Sequence, residues 1–74
     1  MANEFMLFLK SQGVEDYNTF STRKKQNLHG IFSMAIFLDC FNELDFKYLA
    51  KLDARQLRIE LDNLELRRYA KLRG

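Results

Sequence analysis

The chain has 74 residues, of which 47% are hydrophobic, and twelve basic against ten acidic side chains leave a net charge of +2. A single domain over residues 1–74 buries only about 60–65% of the surface that the unfolded chain exposes, so its core is small. With one cysteine, Cys40, and one histidine, His29, an internal disulfide and the usual four-ligand zinc site are both excluded. We therefore expect oligomerisation to supply the missing stability.

A short first helix is predicted over residues 4–12. Asn3 precedes it as a candidate N-cap, and Gly13 stands at the position where a glycine commonly ends a helix. Val14, directly after this glycine, is apolar and is expected to pack back on the last turn. From there to Phe20 we expect a connection with at most one helical turn.

The segment FLKSQGVEDYNTF, from Phe8 to Phe20, resembles the opening helix and turn of a sterile alpha motif domain. It covers 13 of the 74 residues. The rest departs from that family, whose five short helices do not include an apolar helix as long as the one from Leu28 to Leu44. No fold, partner or site residue is carried over from this resemblance.

The second predicted helix runs from Ser21 to Leu44, with Ser21 or Thr22 as its cap. Its apolar residues recur at helical spacing and cover nearly all sides of the helix, so other protein must bury it. The uninterrupted apolar run is far below the roughly 20 residues that cross a bilayer, and we expect no membrane span. This helix is therefore predicted to form a homodimer interface, through Ile31, Met34, Phe37, Leu38 and Phe41.

Two features of the same helix leave alternatives open. Arg23, Lys24 and Lys25 stand in its first turn, where cations oppose the helix dipole by a few tenths of a kcal/mol each. They are either a solvated first turn or a phosphate contact. Gly30 is less favourable in a helix than alanine by about 1 kcal/mol, and marks a close helix crossing or a bend.

The third helical region extends from Phe46 to Leu72, either as one rod or as two helices that break near Asp53. Asp53 and Gln56 have the spacing of a capping box, which favours a break. Two stripes of apolar residues at helical spacing run along this region. One contains Ala50, Ala54, Leu57, Leu61 and Leu64, and the other contains Leu52, Ile59 and Leu66. Two stripes indicate two partners, of which the second helix provides one.

The fold class expected from these elements is all-α, with a short N-terminal helix and a long antiparallel helical hairpin. At their predicted lengths the two long helices would measure roughly 36 and 40 Å. Both lengths exceed the diameter of about 30 Å of a compact chain of this size. A dimer of hairpins that forms a four-helix bundle would resolve this mismatch.

The sequence contains no glycine-rich phosphate loop, metal motif or nucleophile elbow. His29 borders the apolar helix, and Cys40 follows Asp39 without a neighbouring cation that would activate its thiol. We therefore expect no enzyme, no cofactor and no metal.

Placed in a helix-turn-helix register, the region after Phe46 has polar residues at the positions that this motif buries. We therefore expect no DNA-reading helix-turn-helix motif.

The C-terminal half of the chain is the basic half. Residues 1–44 carry four basic and five acidic side chains, whereas residues 45–74 carry eight basic and five acidic ones. The last residues combine cations with an aromatic in their middle, a mixture that is enriched in protein interfaces. The predicted partner-binding residues are Arg67, Arg68, Tyr69, Lys71 and Arg73.

The function expected from these features is a cytoplasmic protein-binding module. It would act as a regulator, inhibitor or assembly factor of the kind that phages and plasmids encode, and its protein partner would be acidic. The alternative is a nucleic-acid-associated protein that uses the basic C-terminal helix, because phosphate neutralisation requires only charge.

Overall fold

The computed structural model describes residues 2–73, and within this range the chain is all-helical, as the apolar periodicity predicts, and contains no strand. Four α-helices follow one another along the chain: α1 (Ala2–Ser11), α2 (Thr22–Leu38), α3 (Phe46–Leu49) and α4 (Ala54–Arg73). Two short 3-10 turns lie between them, at Tyr17–Thr19 and Phe41–Glu43.

The first helix ends as the sequence predicts. Gly13 has a φ of +86°, a left-handed conformation that glycine adopts without strain. The N–H of Val14 donates to the carbonyl of Leu9 at 2.9 Å, and both side chains are buried. The predicted cap at Asn3 is wrong, because the helix already begins at Ala2. The side chain of Asn3 lies outside the described residues.

The second helix is shorter than predicted and ends at Leu38 instead of Leu44. Asp39 closes it in the left-handed region, with φ 54° and ψ 45°. The N–H of Cys40 then donates to the carbonyl of Ala35 at 3.1 Å, which completes a Schellman motif with aspartate in the usual place of glycine. Both Cys40 and Ala35 are buried, so the stop is stabilised by apolar contact.

Each helix after the first begins at a side-chain cap. Ser21 Oγ accepts from a backbone N–H in the first turn of α2, and Asp45 Oδ1 accepts from Tyr48 N–H at 3.2 Å to start α3. Asp53 Oδ1 accepts from Gln56 N–H at 2.8 Å, while Gln56 Oε1 accepts from Asp53 N–H at 3.3 Å. This reciprocal capping box means that the third helical region breaks at Asp53.

The two long helices, α2 and α4, pack against each other and run in the same direction. Three contacting pairs follow one another along both helices: Asn27 with Ala54, Gly30 with Leu61, and Phe37 with Lys71. The predicted antiparallel hairpin is therefore wrong. The reason is the early end of α2. Residues 39–53, which include α3, lead the chain back to the end of the molecule where α2 begins, so that α4 starts there as well.

The contact between α2 and α4 confirms the part of the first predicted stripe that lies on α4, whereas Ala50 belongs to the end of α3. Leu57, Leu61 and Leu64 are buried, and Leu61 approaches Gly30 so closely that a Cβ there would lie 2.9 Å from Leu61 Cδ2. Gly30 thus marks a close crossing. The second stripe is divided: Leu52 is half-buried against the core, whereas Ile59 is 56% exposed and Leu66 is 66% exposed.

An aromatic cluster fixes α1 to the rest of the chain. Phe5 and Phe32 have ring centroids 4.8 Å apart, and Phe8 and Phe46 are 5.0 Å apart at 87°. Phe41 contacts Phe8 edge-on at 5.4 Å. Such tilted and edge-on pairs contribute about 0.5–1.5 kcal/mol each beyond their area burial.

Helix lengths give no support to dimerisation. With 17 and 20 residues, α2 and α4 are about 25 and 30 Å long and fit within the longest dimension of 39 Å. The overhang that the longer predicted helices would have produced is absent from residues 2–73.

Candidate partner-binding surface

The five residues predicted to mediate self-association have different environments. Ile31 is fully buried in the chain's own core, and Phe41 belongs to the aromatic cluster. Met34 and Leu38 are half-buried against the core. Phe37 is the exposed member of the set, at 44%. Of these residues, Phe37 is therefore the one that offers a large free surface.

The cations predicted to bind a partner make contacts within the chain. Arg67 Nη1 lies 3.5 Å from Glu43 Oε1, in an ion pair whose side chains are both about half exposed. The guanidinium carbon of Arg68 lies 4.9 Å from the ring centroid of Phe37. Lys71 Nζ lies 5.8 Å from the same centroid and 3.5 Å from the Phe37 carbonyl oxygen. Three predicted cations thus attach α4 to the C-terminal end of α2 and the turn after it.

These contacts follow from the electrostatics of helix ends. Phe37 lies in the last turn of α2, where the carbonyls have no partner within the helix and the dipole favours cations. A guanidinium over an aromatic ring adds about 0.5–1 kcal/mol at an exposed site. Arg68 and Lys71 therefore have a structural role in addition to the binding role predicted for them.

The parallel packing places Phe37, the exposed residue of the self-association set, beside the residues predicted to bind a partner. Because α2 and α4 end at the same end of the molecule, exposed Phe37 of α2 lies beside the exposed last turns of α4. Tyr69 is 67% exposed and Leu72 is 63% exposed. We call this surface the C-terminal patch; it comprises Phe37, Arg68, Tyr69, Lys71 and Leu72.

A shallow groove runs along the C-terminal patch. It has a volume of about 340 Å³, is open to solvent, and is lined by four residues of α4: Glu65, Arg68, Tyr69 and Leu72. The predicted residue Arg73 is exposed at the end of α4. The arrangement presents apolar surface with cations at its edge, which suits contact with another macromolecule. Leu72 was not among the predicted partner-binding residues, although its spacing of three from Tyr69 indicates a shared face.

A second cationic region includes Arg23, which the sequence offered as a possible phosphate contact, together with two arginines that were not predicted to join it. Arg23 of α2 and Arg55 and Arg58 of α4 line a groove of about 970 Å³ at the starting end of both helices. The cap patterns in the sequence mark where the helices begin, but they do not indicate that both beginnings lie together. Asp53 lines the same groove, and Arg58 Nε is paired with Asp62 Oδ1 at 3.1 Å, so the groove is partly neutralised.

Residues with potential for chemistry lie apart. Cys40 is a buried free thiol, and His29 is exposed with its ring edge-on to Phe5 at 5.1 Å. Within residues 2–73 no three His, Cys, Asp or Glu side chains form a group that could hold a metal ion. None of the helices described here is long and apolar enough to cross a membrane.

No family model matches this chain, and neither a curated protein nor a solved structure matches it. What the C-terminal patch can bind is therefore inferred from its own geometry and chemistry. Those define a small helical chain with an exposed mixed apolar and cationic surface at one end.

Proposed function

We propose that this chain is a non-enzymatic helical binding module that docks on another protein through its C-terminal patch. It would act as a regulator, inhibitor or assembly factor. The observation that carries the proposal is that exposed Phe37 contacts Arg68 and Lys71 on the same last turns of α4 that expose Tyr69 and Leu72.

The composition of the patch supports this function. Tyrosine and arginine are enriched among the residues that contribute most to binding energy at protein interfaces. Arg68 is held over Phe37, so its guanidinium is oriented before a partner arrives. Orienting it in advance reduces the entropy lost on binding, which is typically 0.5–1.5 kcal/mol for a long side chain.

The charges around the patch indicate the chemistry of the partner. Arg67, Lys71 and Arg73 surround Tyr69 and Leu72, and no acidic residue follows Glu65 in the chain. A complementary protein surface would be acidic, with an apolar slot that receives the tyrosine or the leucine. Charges at the edge of such an interface mainly raise the association rate and select the partner.

Nucleic-acid binding by the C-terminal helix is the second candidate. It would use Arg67, Arg68, Lys71 and Arg73 to neutralise phosphates. The first three of these already contact Glu43 or Phe37, and rearranging them to reach phosphates would sacrifice those contacts. The exposed apolar surface of Leu72 would also gain nothing from a phosphate backbone.

Affinity capture from native host cells with matched variants tests protein docking. The double variant Tyr69→Ala/Leu72→Ala should lower the yield of the captured protein about tenfold or more, since each lost 1.4 kcal/mol weakens binding tenfold. Leu7→Ala is the control, because Leu7 on α1 is 65% exposed and lies outside the patch. Equal capture by the double variant and the control would contradict the proposal.

A titration with duplex DNA tests the second candidate. We expect weak binding that falls steeply with salt and that Leu72→Ala leaves unchanged, because phosphate contacts depend on charge. Tight binding at physiological salt that Arg67→Ala/Arg68→Ala abolishes would favour the nucleic-acid function instead.

We also propose that the chain forms a homodimer. Its support is the apolar surface that the single chain leaves exposed, at Ile59 and Leu66 on α4 and at Ile36 on α2. Each copy would contribute one parallel pair of α2 and α4 to the dimer. Sedimentation across a range of concentrations tests this, and a monomer at high micromolar concentration would contradict it.

A further inference from the structure

One face of α4 carries a regular seam that the chain itself does not cover. Its residues follow at spacings of three, four, three and four, as in a coiled coil, and are Ile59, Asp62, Leu66, Tyr69 and Arg73. We call them the outer stripe. Leu66 is nine residues, or about two and a half turns, from buried Leu57, so it faces away from α2.

The charges along the outer stripe are ordered. Asp62 precedes Leu66, and Arg73 follows Tyr69. If two copies of α4 met in parallel, Asp62 would face Asp62 and Arg73 would face Arg73, with like charges in contact. If they met antiparallel, about a two-fold axis between Leu66 and Tyr69, each Asp62 would face an Arg73. The stripe is thus complementary to itself in the antiparallel orientation.

We infer that a second copy of this chain covers the outer stripe, with the two α4 helices antiparallel. Leu66 of each copy packs against Tyr69 of the other, and Asp62 pairs with Arg73 on both sides of the axis. The inference rests on the proposed self-association and names its surface. It replaces the α2 residues that the sequence suggested for this role.

The pairing leaves most of the C-terminal patch free for a different protein. Leu72 is about 120° round the helix from Leu66, and Arg68 is about 160° from it, whereas Tyr69 lies at the border of the two surfaces. The contact spans about 17 Å of helix, from Asp62 to Arg73. One pair of helices in contact over this length is expected to bury less than the roughly 800 Å² per partner of a standard interface, so the dimer should dissociate on dilution.

Asp62 also pairs with Arg58 of its own helix at 3.1 Å. Both side chains are about half exposed, and exposed ion pairs at this spacing contribute little to the stability of the fold. Asp62 is therefore able to exchange this contact for Arg73 of the second copy.

Sedimentation of charge-reversed variants tests the inference. Asp62→Arg and Arg73→Asp should each weaken the dimer about tenfold, because either change sets like charges against each other in both pairs. An equimolar mixture of the two variants restores opposite charges in both pairs of the mixed dimer. We therefore expect the mixture to dimerise at concentrations where each variant alone is monomeric. Failure of the mixture to dimerise would overturn the inference.

Two further variants separate this inference from the proposed self-association. Leu66→Ala should weaken the dimer, whereas Leu72→Ala should leave it unchanged; both side chains are exposed, so neither change threatens the fold. If the wild type dimerises but Leu66→Ala and the charge reversals have no effect, the outer stripe is wrong and self-association stands. If the wild type stays monomeric at high micromolar concentration, both are wrong.

Discussion

The guanidinium carbon of Arg68 lies 4.9 Å from the ring centroid of Phe37, which joins the penultimate turn of α4 to the last turn of α2. This contact brings together one residue expected to mediate self-association and one expected to bind a partner. Both belong to a single surface because the two helices end at the same end of the molecule.

Arg68→Ala should loosen the end of α4. Removal of the cation–π contact is expected to cost about 0.5–1 kcal/mol, and the loss should be local because the core residues of α4 lie further toward its start. Hydrogen exchange of the amides after Arg68 measures it. Arg68→Lys retains the charge but not the planar stacking, and should recover only part of the protection. Unchanged exchange in Arg68→Ala would show that the contact contributes nothing.

Gly30→Ala should destabilise the chain by about 1 kcal/mol, although alanine favours a helix by a similar amount. The reason is that its Cβ would lie 2.9 Å from Cδ2 of buried Leu61. In a Leu61→Ala background the same change should be stabilising, because the obstructing side chain is gone. Urea unfolding of the four proteins in this cycle measures the reversal of sign.

Asp53→Ala should lower the free energy of unfolding by about 1 kcal/mol, since Asp53 caps the 20-residue α4. Asp45→Ala removes the equivalent cap from the four-residue α3 and is the matched comparison. Thermal unfolding should show the larger loss for Asp53. A larger loss for Asp45 would mean that α3, and not the start of α4, limits the stability of this region.

Asn27→Ala should cost about 1–3 kcal/mol, because buried Asn27 Nδ2 donates to the Ala54 carbonyl at 2.8 Å and ties the starts of α2 and α4 together. Asn27→Asp keeps the shape but places an acceptor where a donor is needed. It should be at least as destabilising at neutral pH as the alanine variant. If Asn27→Asp leaves the free energy of unfolding unchanged, the loss in Asn27→Ala is due to side-chain volume and not to the hydrogen bond.

Local signals in the sequence predicted much of the secondary structure. Gly13 and Val14 indicated the end of α1, Ser21 the start of α2, and Asp53 with Gln56 the break before α4. Each of these depends on residues within one turn of each other. The end of α2 was missed because Asp39 occupies a left-handed position that glycine usually takes, and apolar residues continue beyond it.

The direction of packing could not be predicted in the same way. It depends on where residues 39–53 lead the chain, and the aromatic contacts of Phe41 and Phe46 that guide this segment join residues far apart in sequence. The candidate site was predicted in part, since Arg68, Tyr69 and Lys71 were named for partner binding and Phe37 for self-association. Their proximity follows from parallel packing, which periodicity alone does not reveal.

The most direct test of protein docking is photo-crosslinking in native host cells with a photoreactive amino acid at position 72. We predict a crosslink to a protein that Tyr69→Ala weakens, because Leu72 and Tyr69 line the same groove. The probe at position 7, an equally exposed leucine outside the patch, should not give this product. Equal products from positions 72 and 7, or a crosslink from position 72 to nucleic acid alone, would contradict the account.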